Sequence, residues 1–463
     1  MALQLHKSPR PLVGPKSWGG LKASPIAPLN GNSVGPSQYD PAFTGNRTEP
    51  LHRWAPWIAG YSARFVNDAL ERYDGHGVRS RVLDPFAGVG TTLVEARFRG
   101  ADALGFEINP WPALVARTKL AAGTDLSSAA LTTATDRYRE YSSGRPVPVG
   151  KPPSGFRSRI PFFSPKVERK VLVALDYVDS IEDPWVRDAF RVALGASMVS
   201  FSNYTYEPSL GSRPGAGKPL IENADVHSVL SNKLTQMARD VAEIERADKF
   251  CDRERTVHVG SFLDYGRYES GTCDLAVTSP PYLNNYHYVR NTRPQMWWLN
   301  LVSDRSAVAS VEDGSMGKYW QTVREAGPID LNFRLPALEA ILRKLRSVRK
   351  SEGAYGGPGW ANYAATYFND THRWLSTLGR ALRPGGVGVV VIGNSVIQGV
   401  PIPTDRFLAR IAEQVGFTHE ATNLLRTSRV GQSIIASSVR RGAKPSGRTG
   451  LYETAVILRR LVR

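Results

Sequence analysis

The spacing of apolar and polar positions divides the chain into the strands, turns and helices of an α/β protein. Arg81 to Asp84 is a short apolar strand, Pro85 to Gly90 a tight turn, and Thr91 to Phe98 a helix with Leu93, Val94 and Ala96 placed to pack on a sheet. After Gly100, Ala103 to Phe106 reads as a second strand, ending at Glu107. Strand, glycine turn, helix and strand make one βαβ unit closed by an acid. Upstream, Trp54, Trp57, Ile58, Tyr61, Phe65 and Ala69 fall on one face of a predicted helix running from Trp54 to Leu70. Downstream the alternation lapses. Pro165 to Val178, Pro184 to Met198 and Val226 to Glu245 read as helices. The first two are opened by Ser164-Pro165 and Asp183-Pro184, a capping side chain before proline. Strand character returns at Thr256 to Val259 and at Leu275 to Thr278, where Pro280 and Pro281 end it. Pro336 to Lys350 predicts a helix with Leu338, Ile341, Leu342, Leu345 and Val348 on one side, and Ser351 to Gly359 a Gly-rich loop. Helix Thr371 to Leu382, turn Arg383 to Gly386, strand Val387 to Ile392 and a last strand Glu453 to Leu458 resume the pattern.

These elements predict one elaborated domain, a mostly parallel twisted sheet flanked by helices and carrying two insertions. Residues 1–45, poor in large apolar side chains, are expected to form a poorly ordered basic arm. The first part of the core spans 46–125, a helical insertion 126–250, a second piece of core 251–290, a second insertion 291–360 and the C-terminal part of the core 361–463. With 463 residues, 41% of them hydrophobic, the chain can bury a core of that size. Fifty-nine Lys and Arg against 42 Asp and Glu give a net charge of +17, which points to a polyanionic partner, nucleic acid first. Two cysteines, Cys251 and Cys273, exclude a disulfide scaffold and a Cys-rich zinc site and imply a reducing interior. With no apolar run of about 18 residues and no signal-like N-terminus, a cytoplasmic location and no membrane partner are expected. The eight histidines are scattered, and His76, His258 and His287 have no ligand partners at useful spacing, so no metal is expected.

Two turns carry the chemistry. In Asp84-Pro85-Phe86-Ala87-Gly88-Val89-Gly90-Thr91-Thr92, glycines at a strand end let backbone approach a ligand closely and bend sharply into a helix whose first amides face it. Glu107, at the end of the next strand, is placed to accept hydrogen bonds from ribose hydroxyls, so a nucleoside cofactor fits. The second turn is Thr278-Ser279-Pro280-Pro281-Tyr282. A base amine is a poor nucleophile because its lone pair is delocalised into the ring. Two acceptors, the Ser279 hydroxyl and the Pro280 carbonyl, would draw the nitrogen towards tetrahedral geometry and aim its lone pair at a methyl donor. The two prolines stiffen that arrangement, and Tyr282 offers a ring on which an extruded base can stack.

This pair of stretches resembles the cofactor and catalytic motifs of amino-group DNA methyltransferases. The resemblance implies that Asp84, Phe86, Ala87, Gly88, Gly90 and Thr91 bind S-adenosylmethionine, that Glu107 holds its ribose, and that Ser279, Pro280, Pro281 and Tyr282 grip the target amine. The likeness continues in Ala381 to Gly386 and in Val391 to Ser395. Ser279 is similar to the N4-cytosine form of the motif, whereas Asn or Asp there is commoner among N6-adenine enzymes. Where many members carry an acid after the third strand to touch the adenine ring, this chain has Ser261, with Asp264 three residues on, and either fits. The family implies DNA as partner, a cognate restriction endonuclease as a further candidate, and a place on the nucleoid. Neither cysteine sits in the Pro-Cys context of enzymes that methylate a ring carbon through a thiolate, so covalent catalysis is not expected. N6-adenine methylation is the nearest alternative, and a non-catalytic DNA-binding protein that retains the fold the next.

For DNA contact the glycine-rich loop Gly211 to Lys218 brings Arg213 and Lys218 after the Tyr204 and Tyr206 pair. Arg343, Lys344, Arg346, Arg349 and Lys350, and the cluster of Arg440, Arg441, Lys444 and Arg448, offer further phosphate contacts. A solvated surface is the competing reading of each. Both insertions are expected to help embrace the duplex.

Overall fold

The computed structural model describes residues 43–57, 60–73, 80–206, 209–247, 253–264, 271–283, 287–348, 358–427 and 451–462. Helix α1 (Ala63–Tyr73) leads into β1 (Arg81–Asp84), α2 (Thr91–Phe98), β2 (Asp102–Glu107) and α3 (Pro110–Ala121). Then come α4 (Ser128–Ser143), α5 (Pro165–Ser180), α6 (Pro184–Ser197), the hairpin β3 (Tyr204–Tyr206) and β4 (Leu210–Ser212), and α7 (Val226–Ala247). The core resumes with β5 (Arg255–Val259) and β6 (Cys273–Thr278), followed by α8 (Tyr288–Trp298), α9 (Arg305–Gly314), α10 (Trp320–Val323), α11 (Pro336–Arg346) and α12 (Gly359–Ala381). It closes with β7 (Leu382–Gly393), a small hairpin of β8 (Ser395–Ile397) and β9 (Val400–Ile402), α13 (Thr404–Gln414), β10 (Phe417–Arg426) and β11 (Glu453–Arg460).

Seven strands form one sheet in the order β10-β11-β7-β6-β1-β2-β5. All run parallel except β11, which is antiparallel to both its neighbours, β10 and β7. Alternation along the strands divides the interior in two. Val82, Leu275, Val277, Val389 and Val391 face one cluster, shared with α2, α3 and the helices of the first insertion. Leu83, Leu104, Ala276, Val390 and Ile392 face the other, shared with α11, α12 and α13. Burial on both faces is why these strands read as continuous apolar runs. No helix among the described residues is long and apolar enough to cross a membrane.

Several sequence expectations need correction. The helix expected from Trp54 begins only at Ala63: Trp54 ends a short 3-10 turn, and Pro56 holds Ala55 extended, at φ −134° and ψ 127°. Asp183 caps α6 by accepting from the amides of Trp185 and Val186, whereas Ser164 makes no cap bond and shares its hydroxyl with Asn203 instead. Helix α12 starts twelve residues before the expected Thr371, because almost every side chain from Trp360 to Phe368 is buried and no polar face gives the segment a helical rhythm. Its Gly359, expected in a loop, is instead a close-packing point, since a Cβ there would lie 2.6 Å from the Arg324 Cα.

Candidate active site

From β1 at the centre, the chain runs outward to β2 and β5 on one side and to β6 and β7 on the other, so β1 and β6 flank the point where strand order reverses. Loops leaving the carboxyl ends of such strands diverge and open a crevice. The glycine turn leaves β1 there, and the Ser279 to Tyr282 turn leaves β6. Asp84 joins them. Its Oδ1 accepts from the Thr278 hydroxyl at 2.6 Å and from the Phe86 amide at 3.0 Å, and its Oδ2 accepts from the Tyr61 hydroxyl at 2.9 Å. Tyr61 also contacts the Thr92 hydroxyl, which donates to the Val277 carbonyl at 3.0 Å. Burial raises the Asp84 pKa, and these donors pull it back. The sequence gives Tyr61 only a place on an apolar helix face, whereas the structure ties it to Asp84.

The glycines are needed where they stand. Gly88 has φ +50°, and a Cβ on it would lie 3.2 Å from Trp57 Nε1; Gly90 has φ +82°, and its Cβ would lie 2.9 Å from the Ala116 Cβ of α3. Glu107 lies against the same turn, accepting at Oε2 from the Gly88 amide at 2.9 Å and at Oε1 from the Asn109 amide at 2.7 Å. Burial pushes this carboxyl up to about 7, although both amides favour its charged form. Phe86, Gly88, Glu107 and Ser261 share one cleft with Ser279, Pro281 and Tyr282. Asp84, Ala87, Gly90 and Thr91 belong to the same strand end, turn and helix start without lining the cleft, and Pro280 stands between two residues that do line it. The cradle of two positive-φ glycines beside a half-buried acid fits a nucleoside cofactor.

This acid sets an expected pH dependence. Near pH 7 Glu107 is part-protonated, and hydroxyl donors stabilise its carboxylate, so cofactor binding should expel a proton. Affinity is therefore full above about pH 7 and falls below it, by at most about tenfold per pH unit. Calorimetric titrations between about pH 6 and about pH 8 should show this slope, and Glu107→Gln should flatten it. An equal slope in both proteins would clear Glu107 of the role.

On the catalytic side, the Tyr367 hydroxyl of α12 donates to the Pro281 carbonyl at 2.9 Å. The absent Cβ of Gly393, at the end of β7, would sit 3.1 Å from Tyr282 Cε2, so this glycine makes room for the ring. Burial carries the Tyr282 phenol well above its ordinary pKa, and the Ser279 side chain pulls the other way through a hydrogen bond. Cys273, at the opposite end of β6, is buried, and its thiol is pushed up to about 11, which keeps it protonated and unreactive. Among the described residues no group of three or more His, Cys, Asp and Glu could hold a metal ion.

The roof of the cleft was not foreseen. Residues 312–319, at the end of α9 and beyond it, cover the crevice between the two turns. Ser261 donates to the Gly314 carbonyl at 2.8 Å, and the Gly317 amide donates to Asp370 Oδ2 of α12 at 2.9 Å. This part of the second insertion walls the pocket. The two glycines three apart were the available signal: a Cβ on Gly314 would meet Ile108 Cδ1 at 2.5 Å.

Of the basic positions, Arg213 and Lys218 flank the turn that follows the β3–β4 hairpin, with Arg213 Nε donating to the Pro219 carbonyl at 2.7 Å. This hairpin is pinned to α8, directly after the catalytic turn. Tyr206 donates to the Asn291 carbonyl and the Leu210 amide to Asn291 Oδ1, each at 2.8 Å. The segment bearing the exposed Arg157 and Arg159 packs on the same hairpin through Phe162 and Tyr204, whose ring centroids are 5.4 Å apart; sequence reasoning passed both arginines by. Arg343, Lys344 and Arg346 lie in the last turn of α11, where Arg346 is paired with Asp330 at 2.7 Å. Arg440, Arg441, Lys444, Arg448, Arg349 and Lys350 lie outside the described residues, as does nearly all of the 1–45 arm.

A sheet of this strand order, with one reversed strand next to its edge and with a glycine turn and an acid closing its first two strands, is the Rossmann-like fold of S-adenosylmethionine-dependent methyltransferases. Within that class the chain is homologous to type II methyltransferases. It is 22% identical over 423 residues to M.BsoBI of Geobacillus stearothermophilus, covering 81% of this chain and 80% of that protein. It is likewise 22% identical over 431 residues to M.AvaI of Anabaena variabilis, covering 85% and 84%. M.MjaII of Methanocaldococcus jannaschii is 34% identical over 82 residues, which is 18% of this chain and 15% of that one. No family model matches the sequence. Among solved structures, a geranyl diphosphate methyltransferase in complex with SAM is 10% identical, with 92% of this chain and 96% of that one covered and a TM-score of 0.33. The fold rests on the strand order.

Proposed function

We propose that this chain is a site-specific DNA methyltransferase that transfers the methyl group of S-adenosylmethionine to N4 of a cytosine extruded from the duplex. The observation that carries the reading is the Thr278 to Asp84 bond, which sets the Ser279 to Tyr282 turn beside the cofactor turn in one cleft. The cofactor, when bound, supplies a methyl on a positively charged sulfur, an inherently good electrophile. The chain's own task is then orientation. Ser279 and the Pro280 carbonyl accept the hydrogens of the amine and turn its lone pair towards the methyl. Tyr282 stacks the base and Tyr367 steadies the turn through Pro281. No strong general base is needed, because the amine loses its surplus proton readily once methylated. Cytosine over adenine follows from Ser279 alone.

The positive balance of the chain suits DNA, and we assign backbone contacts to Arg213 and Lys218, with Arg157 and Arg159 beside them. Arg440 and Arg441 remain candidates on charge. Work on the nucleoid in the cytoplasm follows, and a cognate restriction endonuclease is the partner the type II relatives suggest.

Methylated DNA digested to nucleosides and weighed by mass spectrometry decides the base. N4-methylcytosine supports the proposal; N6-methyladenine would overturn the choice of base and keep the enzyme class; unmodified nucleosides would favour a non-catalytic binding protein. For the DNA face, Arg157→Ala combined with Arg213→Ala is expected to lower the slope of log affinity against log salt by about 2. An unchanged slope removes the hairpin from the interface.

A further inference from the structure

Lys119 is 0% exposed. Its Nζ donates to the Val89 carbonyl at 2.9 Å, its one hydrogen bond among the described residues. The charge that bears on it is of the same sign: Lys233 of α7, which donates to the Arg53 carbonyl at 2.7 Å and to Gln236 Oε1 at 3.0 Å. Burial and this neighbour bring the Lys119 amine down to about 7. An ammonium sealed from water without a carboxylate opposes folding, and an apolar side chain of similar length would fill the space without that cost. The position is therefore not explained by stability.

It is explained by what it touches. Val89 lies between two glycines of positive φ, a backbone that could flip its peptides at little steric cost. Three other peptides of the turn are tied down through their amides, that of Phe86 to Asp84, that of Ala87 to the Phe106 carbonyl at 2.9 Å and that of Gly88 to Glu107, and the peptide between Val89 and Gly90 is held at one end, its Gly90 amide donating to the Ala87 carbonyl at 2.7 Å. The Val89 carbonyl has Lys119. One turn back along α3, Ala116 packs on Gly90, and at the start of the same helix the Asn109 amide holds Glu107. A single helix thus meets the cofactor site at three points, and only one of them requires a long polar side chain.

We propose that Lys119 is a positioning residue of the cofactor site, clamping the peptide between Val89 and Gly90 and so fixing the turn on which S-adenosylmethionine rests. The inference does not depend on which base is methylated. Lys119→Met keeps much of the length and removes the donor. It should weaken cofactor binding, measured by calorimetry, about tenfold. The KM for cofactor should rise in parallel, while kcat at saturating cofactor and the KM for DNA stay within about twofold. The melting temperature should hold or rise, because a buried amine has been removed. Amide exchange should quicken at Val89 and Gly90 and not along α3. Should the Met variant fail to accumulate, Lys119→Gln, shorter but still a donor, gives the same readouts with a smaller loss. Unchanged cofactor affinity would overturn the proposal. So would a loss of affinity matched by a lower melting temperature, or the unfolding of both variants, since each makes Lys119 a general support of the fold.

Discussion

Tyr282→Ala is expected to slow methyl transfer about a hundredfold while leaving cofactor affinity within about twofold. On the proposed mechanism, removing the ring takes away the surface on which an extruded base would be held flat, a contact worth about 1 to 3 kcal/mol per base. The cofactor turn is untouched, because Tyr282 leans on Gly393 of β7 and not on the glycines after β1. Ser279→Ala should cost a comparable factor of about a hundred in kcat, since on the proposed mechanism the lost acceptor acts on the amine as it becomes tetrahedral. Single-turnover rates at saturating cofactor separate both effects from binding. Full activity in both variants would overturn the assignment of the catalytic turn.

Asp84→Ala should be costlier, because one carboxylate serves both turns. With Asp84 1% exposed, its loss strands the Thr278 hydroxyl and the Phe86 amide and takes from the buried Tyr61 hydroxyl its carboxylate acceptor, leaving it the Val277 carbonyl at 3.2 Å. Three buried donors deprived of a shared acceptor imply a loss of about 3 to 5 kcal/mol. Denaturant titration should read that loss, and cofactor binding and methyl transfer should fail together. Thr278→Val, which removes one of the three donors, should cost about 1 kcal/mol and chiefly slow transfer. Should Asp84→Ala keep its stability and its activity, the carboxylate would not be the link between the turns.

The core βαβ unit was legible from sequence because its physics is local. A strand buried on both faces is a continuous apolar run, a sharp turn needs glycine, and a proline pair stops a strand. Expected and observed limits coincide for Thr91–Phe98 and differ by a residue at either end of the next strand. What escaped depends on contacts between distant segments. Tyr61 reaches across to Asp84, 23 residues on, from a stretch whose helical spacing was coincidental. Helix α4 buries only Leu131, Thr135 and Tyr138 of its sixteen residues, too thin a stripe to stand out. The hairpin of β3 and β4 has three residues to a strand, below what alternation can reveal. The roof over the cleft is a tertiary fact, visible only once residues 312–319 are laid against Ser261 and Asp370.

The bond from Thr278 to Asp84 spans 194 residues of chain and a single gap between neighbouring strands. Everything threaded between those residues leaves and re-enters the sheet without disturbing the distance that matters. The long excursion through α4 to α7 shares a core with α2 and α3, yet supplies none of the described residues that line the cleft. A protein built this way can change the surface it offers to its substrate while keeping its chemistry fixed.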